Sequence, residues 1–226
     1  MASEVLVQGS SLGAWGQATT GSGTGSVSVS WAQARVSGSL LILCVTSDGT
    51  HSTPIGWTLA RQQVNNSAVY IFYRIADNTG SDTPTLSNGA ATLLAWAEYS
   101  NNTASPLDQV ASGGSSTGST SRSTGTTGTT AQADEVAVAV WSWSKSGAVA
   151  TWSGQTNSFS EIIDTGTTKG AGNNCGLCLA TKSLSATGTV TSTATLSGSF
   201  ASGATVATFK FTAPTPSATI LNSDWY

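Results

Sequence analysis

Residues 135–143 read Glu-Val-Ala-Val-Ala-Val-Trp-Ser-Trp. Val136, Val138 and Val140 fall in one register, and successive side chains of an extended chain point to opposite faces. The spacing predicts a strand over Glu135 to Trp143. The same period occurs upstream. Ser26 to Trp31 (SVSVSW) places Val27, Val29 and Trp31 on one face and serines on the other, as in a half-buried antiparallel strand. Leu40 to Thr46 is apolar on both faces and reads as a central strand. Gly56 to Val64 and Ser67 to Ala76 flank Asn65-Asn66, and Asn tolerates positive φ, so this pair reads as a hairpin.

Further strand signals lie between Gly, Asn, Asp, Ser and Pro punctuation. They are Val5 to Val7, Ala90 to Ser100 after the turn Ser87-Asn88-Gly89, Val149 to Trp152, Phe159 to Asp164, Leu177 to Thr181, Thr187 to Leu196 and Ala204 to Phe211. No amphipathic helix pattern is found. About a dozen strands at this spacing predict an all-β fold, a single antiparallel β-sandwich of jelly-roll type over residues 1–226. Leu40–Thr46, Ser67–Ala76, Ala90–Ser100 and Glu135–Trp143 are its expected middle strands. The two halves contain the same kinds of unit, but no sequence repeat is strong enough to show a duplication.

Residues 111–133 are almost entirely Ser, Thr and Gly. Composition alone describes a flexible linker. The expectation here is an ordered Ser/Thr/Gly-rich loop or edge strand within one domain.

Hydrophobic residues make up 38% of the chain, enough for a packed core, but charged residues only 8%, against roughly 25% in ordinary domains. So few charges remove a common protection against edge-to-edge association, which points to flanks covered by other subunits. The net charge is −3 and the eight Lys and Arg are scattered, so phosphate-backbone contacts have no cluster to use and no nucleic-acid partner is expected. The longest apolar run, Leu40 to Val45, is too short for a bilayer. The start, Met1-Ala2-Ser3-Glu4-Val5, lacks the basic and apolar regions of a signal peptide. Synthesis in a cytoplasm and no membrane insertion are expected.

The residues that carry chemistry are sparse. The cysteines are Cys44, Cys175 and Cys178. Cys175 and Cys178 have CxxC spacing, but structural zinc needs four ligands, and the two strand-like contexts read as small buried residues. His51 lies in a polar stretch without a nucleophile-elbow pattern and is expected to be solvated. Gly21 to Gly25 lacks the Lys and helix of a phosphate loop. Asp77 to Asp82 has a calcium-loop composition without the closing Glu. Glu98 and Glu161 are the acids placed well inside expected strands, and Glu98 is expected to face solvent. A glycosidase would need two such acids in one cleft. No catalytic residue, cofactor or metal site is expected, and the chain does not read as an enzyme.

There are eight Trp. Trp31, Trp57, Trp96 and Trp141 have apolar neighbours and are expected in the core. Trp15, Trp143, Trp152 and Trp225, with Tyr226, lie nearer strand ends or polar segments. They are the candidate interface or glycan-contact aromatics, since exposed rings stack on sugars or anchor interfaces.

An ordered set of motifs carries a family resemblance: Gly38-Ser39-Leu40-Leu41-Ile42-Leu43-Cys44-Val45, Pro54-Ile55-Gly56-Trp57-Thr58, Tyr70-Ile71-Phe72-Tyr73-Arg74-Ile75-Ala76, Ala97-Glu98-Tyr99-Ser100 and Ala133-Asp134-Glu135-Val136-Ala137-Val138-Ala139. In this order they resemble jelly-roll-like β-sandwich virion proteins of tailed bacteriophages, over about Val27 to Phe211. The resemblance implies a minor tail, fibre or capsid-surface decoration protein in the virion. It implies homo-oligomers, commonly trimers, packed on other virion proteins and presenting an adhesive surface, with a host cell-surface glycan as a further partner. It transfers no catalytic residues. A carbohydrate-binding module or lectin is the alternative, with Trp143 and Trp152 as its candidate aromatic row, and a glycan hydrolase is the third reading.

Overall fold

The computed structural model describes residues 5–9, 11, 13–19, 26–65, 67–87, 91–146, 149–167 and 174–212. The strands are β1 (Val5–Gln8), β2 (Gly16–Thr19), β3 (Val27–Ser28), β4 (Leu40–Ser47), β5 (Thr58–Val64), β6 (Ala68–Ile75), β7 (Thr85–Leu86), β8 (Thr92–Ser100), β9 (Asn102–Ser123), β10 (Glu135–Ser146), β11 (Trp152–Ser153), β12 (Ser160–Gly166), β13 (Asn174–Leu184) and β14 (Thr193–Phe211). A single 3-10 turn, Gly80–Asp82, is the one helical element among the described residues. Expected positions within 21–25, 88–90 and 213–226, and Asn66 of the hairpin, lie outside the described residues.

Two antiparallel six-stranded sheets form a sandwich. The first has the order β1-β8-β4-β6-β5, with β2 also on β8. The second has the order β11-β14-β10-β13-β12, with β9 on β14. The alternation of β10 sets the layers. Val136, Val138 and Val140 point into the shared core with Leu40, Ile42 and Cys44 of β4, Val69 and Ile71 of β6, and Phe209 and Phe211 of β14. Full burial of one such side chain contributes about 1.5–3 kcal/mol, so the joint between the sheets rests on this layer.

The all-β antiparallel sandwich is as the sequence indicates. Its connectivity is simpler than the back-and-forth path of a jelly roll, because β4, β5, β6 and β8 stay in one sheet and β10 to β14 in the other. Each half also repeats one order: β8-β4-β6-β5 in the first sheet, β14-β10-β13-β12 in the second. The entrances match. Gly38 (φ 90) and Asp134 (φ 58) both have positive φ. Their N–H groups donate to Ala76 O and Leu184 O at 2.9 Å, at equivalent places in the two halves. Leu6 opposite Tyr99 matches Leu107 opposite Phe209.

This order has a steric consequence. β4 and β5 are both antiparallel to β6, so they run parallel and their connection must cross an outer face. The same holds for β6 to β8, β10 to β12 and β13 to β14. These crossings carry Trp57 and Leu86 onto the outer face of the first sheet, against Leu41, Leu43 and Val45. They carry Trp152, Phe159 and Val190 onto the outer face of the second, against Ala137, Ala139 and Trp141. Apolar residues on both faces of β4 are thereby covered twice. The alternation of Ser26 to Trp31 is kept, with Val27 and Val29 buried, but only Val27–Ser28 pairs, with β7. Trp31 is only partly buried there.

The Ser/Thr/Gly tract splits into two structures. Up to Ser123 it is the edge strand β9, paired along β14. Beyond Ser123 a different pairing begins. Thr124, Thr127 and Thr130 donate backbone N–H groups to the carbonyls of Ser192, Val190 and Gly188 at 2.9, 3.0 and 3.0 Å. Their hydroxyls accept the N–H groups of Ser192, Val190 and Gly188 at 3.0, 2.8 and 3.1 Å. Every third residue thus faces every second, and a threonine hydroxyl stands in for the carbonyl of an ordinary ladder pair. Thr156 with Thr193 and Thr167 with Cys175 repeat the device. It accounts for residues 187–192 being extended but not a strand.

Thr124, Thr127 and Thr130 are buried, and the hydroxyl of each accepts its partner amide. Thr127→Val is therefore expected to lower the unfolding free energy by about 1–3 kcal/mol, the penalty for a stranded buried amide. Thr127→Ser is expected to keep most of it. Urea unfolding of the two variants reads the difference, and a neutral Thr127→Val would remove the hydroxyl's role.

Candidate functional site

The acids come first, since they would carry most chemistry. Glu98 lies on β8 and is fully buried, correcting the solvent-facing expectation. Its oxygens accept Gln8 Nε2 at 2.6 Å, the Val36 N–H at 2.6 Å and the Ser39 hydroxyl at 2.5 Å. It fastens β1 and the approach to β4, which explains an acid on an otherwise apolar strand. Glu161 lies on edge strand β12 and is exposed, held by Gln155 Nε2 at 2.6 Å. The two are in different sheets with separate partners, so they form no pair across one cleft.

Two further acids, one half-buried and one fully buried, were not singled out by sequence. Asp164 on β12 accepts the Trp152 N–H at 2.8 Å. Burial pushes its carboxyl up to about 6, with Glu161 adding to the effect. Glu135 at the start of β10 is fully buried, and burial pushes it up to about 7, with Asp108 beside it. Both lie at strand positions whose neighbours in sequence read as apolar or turn residues, so only the tertiary cover reveals them.

His51 is not solvated. It is half-buried, its Nε2 pairs with Thr92 Oγ1 at 3.0 Å, and its ring meets Tyr70 edge-on at 6.2 Å. Burial holds its pKa down at about 4. Cys44, Cys175 and Cys178 are free and buried. Cys175 belongs to the inner core and Cys178 to the outer one, since residues three apart on a strand face opposite ways. Among the described residues no group of three or more His, Cys, Asp or Glu is arranged to hold a metal.

Trp15, Trp143 and Trp152 are placed inside. Trp15 packs edge-on to Tyr99 at 6.2 Å. Trp143 is fully buried over Gly176, its cross-strand partner, where any Cβ would overlap the indole. Trp152 packs at 6.5 Å from Trp141, whose Nε1 donates to Arg122 O at 3.0 Å. Glycines and folded-over connections create room that strand-end position does not reveal. Trp225 and Tyr226 lie outside the described residues.

One surface combines fixed polar groups with exposed apolar atoms. Arg74 is buried, with Nε 2.9 Å from Asp82 Oδ1 and Nη2 2.7 Å from Asp77 Oδ1. Arg35 Nε reaches Asp82 Oδ2 at 3.4 Å. Hydrogen bonds from Thr79 hold the Asp77 carboxyl below its usual range, helped by Arg74. The calcium-loop composition is thus used for ion pairs. Trp31 and Trp57 donate their indole N–H groups to Asp82 O and Ser81 O at 2.9 and 2.8 Å. This braced turn forms one wall of an open groove of about 440 Å³, with Pro54, Ile55 and Pro84 along it. Ile55 is 88% exposed, the most exposed large apolar side chain among the described residues.

No family model, curated protein or solved structure matches the chain. No helix among the described residues is long and apolar enough to cross a membrane.

The raised pKa of Asp164 has a signed consequence. Its stabilising contribution is full below the unfolded value, 3.8, and is lost as pH rises through about 6. Asp164→Asn keeps an acceptor for Trp152 but never ionises. Between pH 4 and pH 7 the variant is expected to gain about 1 kcal/mol on the native chain, the shift discounted for partial solvent access. Parallel denaturant titrations at the two pH values check this; His51 titrates in both proteins and cancels.

Proposed function

We propose that this chain is a structural subunit of a tailed-bacteriophage virion, of the minor-tail or capsid-decoration kind. It packs against other virion proteins as a homo-oligomer, a trimer in the favoured form, and presents its remaining surface outward. Two things support the reading. The ordered motifs from Gly38 to Ala139 resemble that group of proteins, and they fall on β4, the turn before β5, β6, β8 and β10, the frame of the fold. The chain also carries an exposed apolar anchor, Ile55, on a turn closed by the Trp57 N–H on Pro54 O and tied through the Trp57 indole to Ser81 O of the neighbouring turn that Arg74 and Asp82 brace. A single exposed apolar residue is ordinary. One held beside two prolines on a braced turn is suited to insertion in a partner, because little side-chain or loop entropy remains to be lost.

The observation that carries the reading is this pairing of rigidity and exposure at Ile55. The lectin alternative took Trp143 and Trp152 as its candidate aromatic row, and both are buried.

Ile55→Asp is expected to leave folding intact and to weaken association at least tenfold, since one desolvated charge in an apolar contact costs more than ~1.4 kcal/mol. Light scattering of the purified protein and co-sedimentation with particles measure this. A native chain that stays monomeric and never sediments with particles would contradict the assignment.

A further inference from the structure

The repeated topology allows the same spot to be compared in the two halves. In the first half three neighbouring strands bring together Gln8, Glu98 and Ser39. One carboxylate is there, and it receives hydrogen bonds from Gln8, Ser39 and the Val36 N–H. In the second half the equivalent strands, β9, β14 and β10, bring together Asp108, Thr208 and Glu135. Here there are two carboxylates. Glu135 is fully buried, and although the Thr208 hydroxyl and the Gln132 N–H lie close to it, neither of its oxygens has a donor in good hydrogen-bond geometry among the described residues. It lies against Asp108 and Thr208. Asp108 is itself fixed, its Oδ2 accepting the Ala131 N–H at 2.7 Å and its Oδ1 the Gln109 amide at 3.4 Å.

Two ionised carboxylates in contact are acceptors only, and they repel. The nearby cations do not neutralise them. Lys210 is opposite Glu135 in the β10–β14 register and Lys182 is opposite Ala137 in the β10–β13 register. Among the described residues the ion pairs found are those of Arg35 and Arg74, at the Asp77–Asp82 turn.

We propose that Asp108 and Glu135 bind a hard divalent cation, calcium in preference to magnesium or zinc. The donors are oxygens only: two carboxylates and the Thr208 hydroxyl, with water completing the shell. Zinc favours nitrogen and sulfur, and magnesium keeps more of its water and a stricter octahedron. Two negative charges match a divalent ion. With so few charged ligands the affinity belongs at the weak end of calcium sites, about 10⁻⁴–10⁻³ M. The ion ties three adjacent strands together on the outer face of the second sheet, where the first half uses Gln8 and Ser39. The site is independent of where the protein is located.

The test uses the whole chain, first stripped with a chelator, and calcium chloride as the probe. Calorimetric titration is expected to show millimolar-range binding. Thermal unfolding in millimolar calcium chloride is expected to move up by a few degrees, roughly as ligand linkage requires, and sodium chloride of equal ionic strength should not reproduce it. Glu135→Gln and Asp108→Asn are each expected to weaken binding at least tenfold. The second variant serves if the first does not fold, and Asp164→Asn should bind as the native chain does. Absence of heat and of a calcium-dependent shift in the native chain overturns the proposal, leaving a proton as what neutralises the pair. Undiminished binding in the two variants overturns it as well, and an equal response to magnesium chloride overturns the preference for calcium.

Discussion

Strands that are apolar on both faces need cover on both faces, and this chain has several. Leu41, Leu43 and Val45 alternate with Leu40, Ile42 and Cys44 along β4, and all are fully buried. A second sheet covers one side. The other side is covered by the connections, because the strand order in each half obliges the chain to cross its own outer face. Trp57 and Leu86 in one half, Trp152, Phe159 and Val190 in the other, are the residues those crossings deliver. The layered architecture follows from this need for double cover.

The scarcity of charge fits the same constraint. Connections laid over a sheet must satisfy their backbone groups without water. In this protein threonine hydroxyls do so at Thr124, Thr127, Thr130 and Thr167, each replacing a carbonyl in a ladder-like pair. A neutral hydroxyl can be buried at modest cost, where a charged side chain could not be without a partner. The acids that are buried do similar fastening. Glu98 gathers three donors from two segments, and Asp82 joins Arg35 and Arg74 beneath the turn to which Trp57, two residues after Ile55, is tied. Titratable groups here hold the fold together, and the surface they support is what the proposed packing role uses.

The sequence alone determined the strand-rich class, the central position of Leu40–Thr46 and Ser67–Ala76 and the shared register of the β10 valines. These depend on a period of two and on local composition, which the chain carries residue by residue. It did not determine which side chains are covered by distant segments. Trp143 reads as a strand-end ring until Gly176 is brought beneath it, and Glu98 as a solvated acid until Gln8 and Ser39 converge on it. The repeated strand order was hidden for the same reason, since β-pairing fixes which faces are apolar but leaves the residues that fill them free to vary. Tertiary structure decided those points because burial of a polar or aromatic group depends on what crosses over it, and here the crossing segments come from elsewhere in the chain.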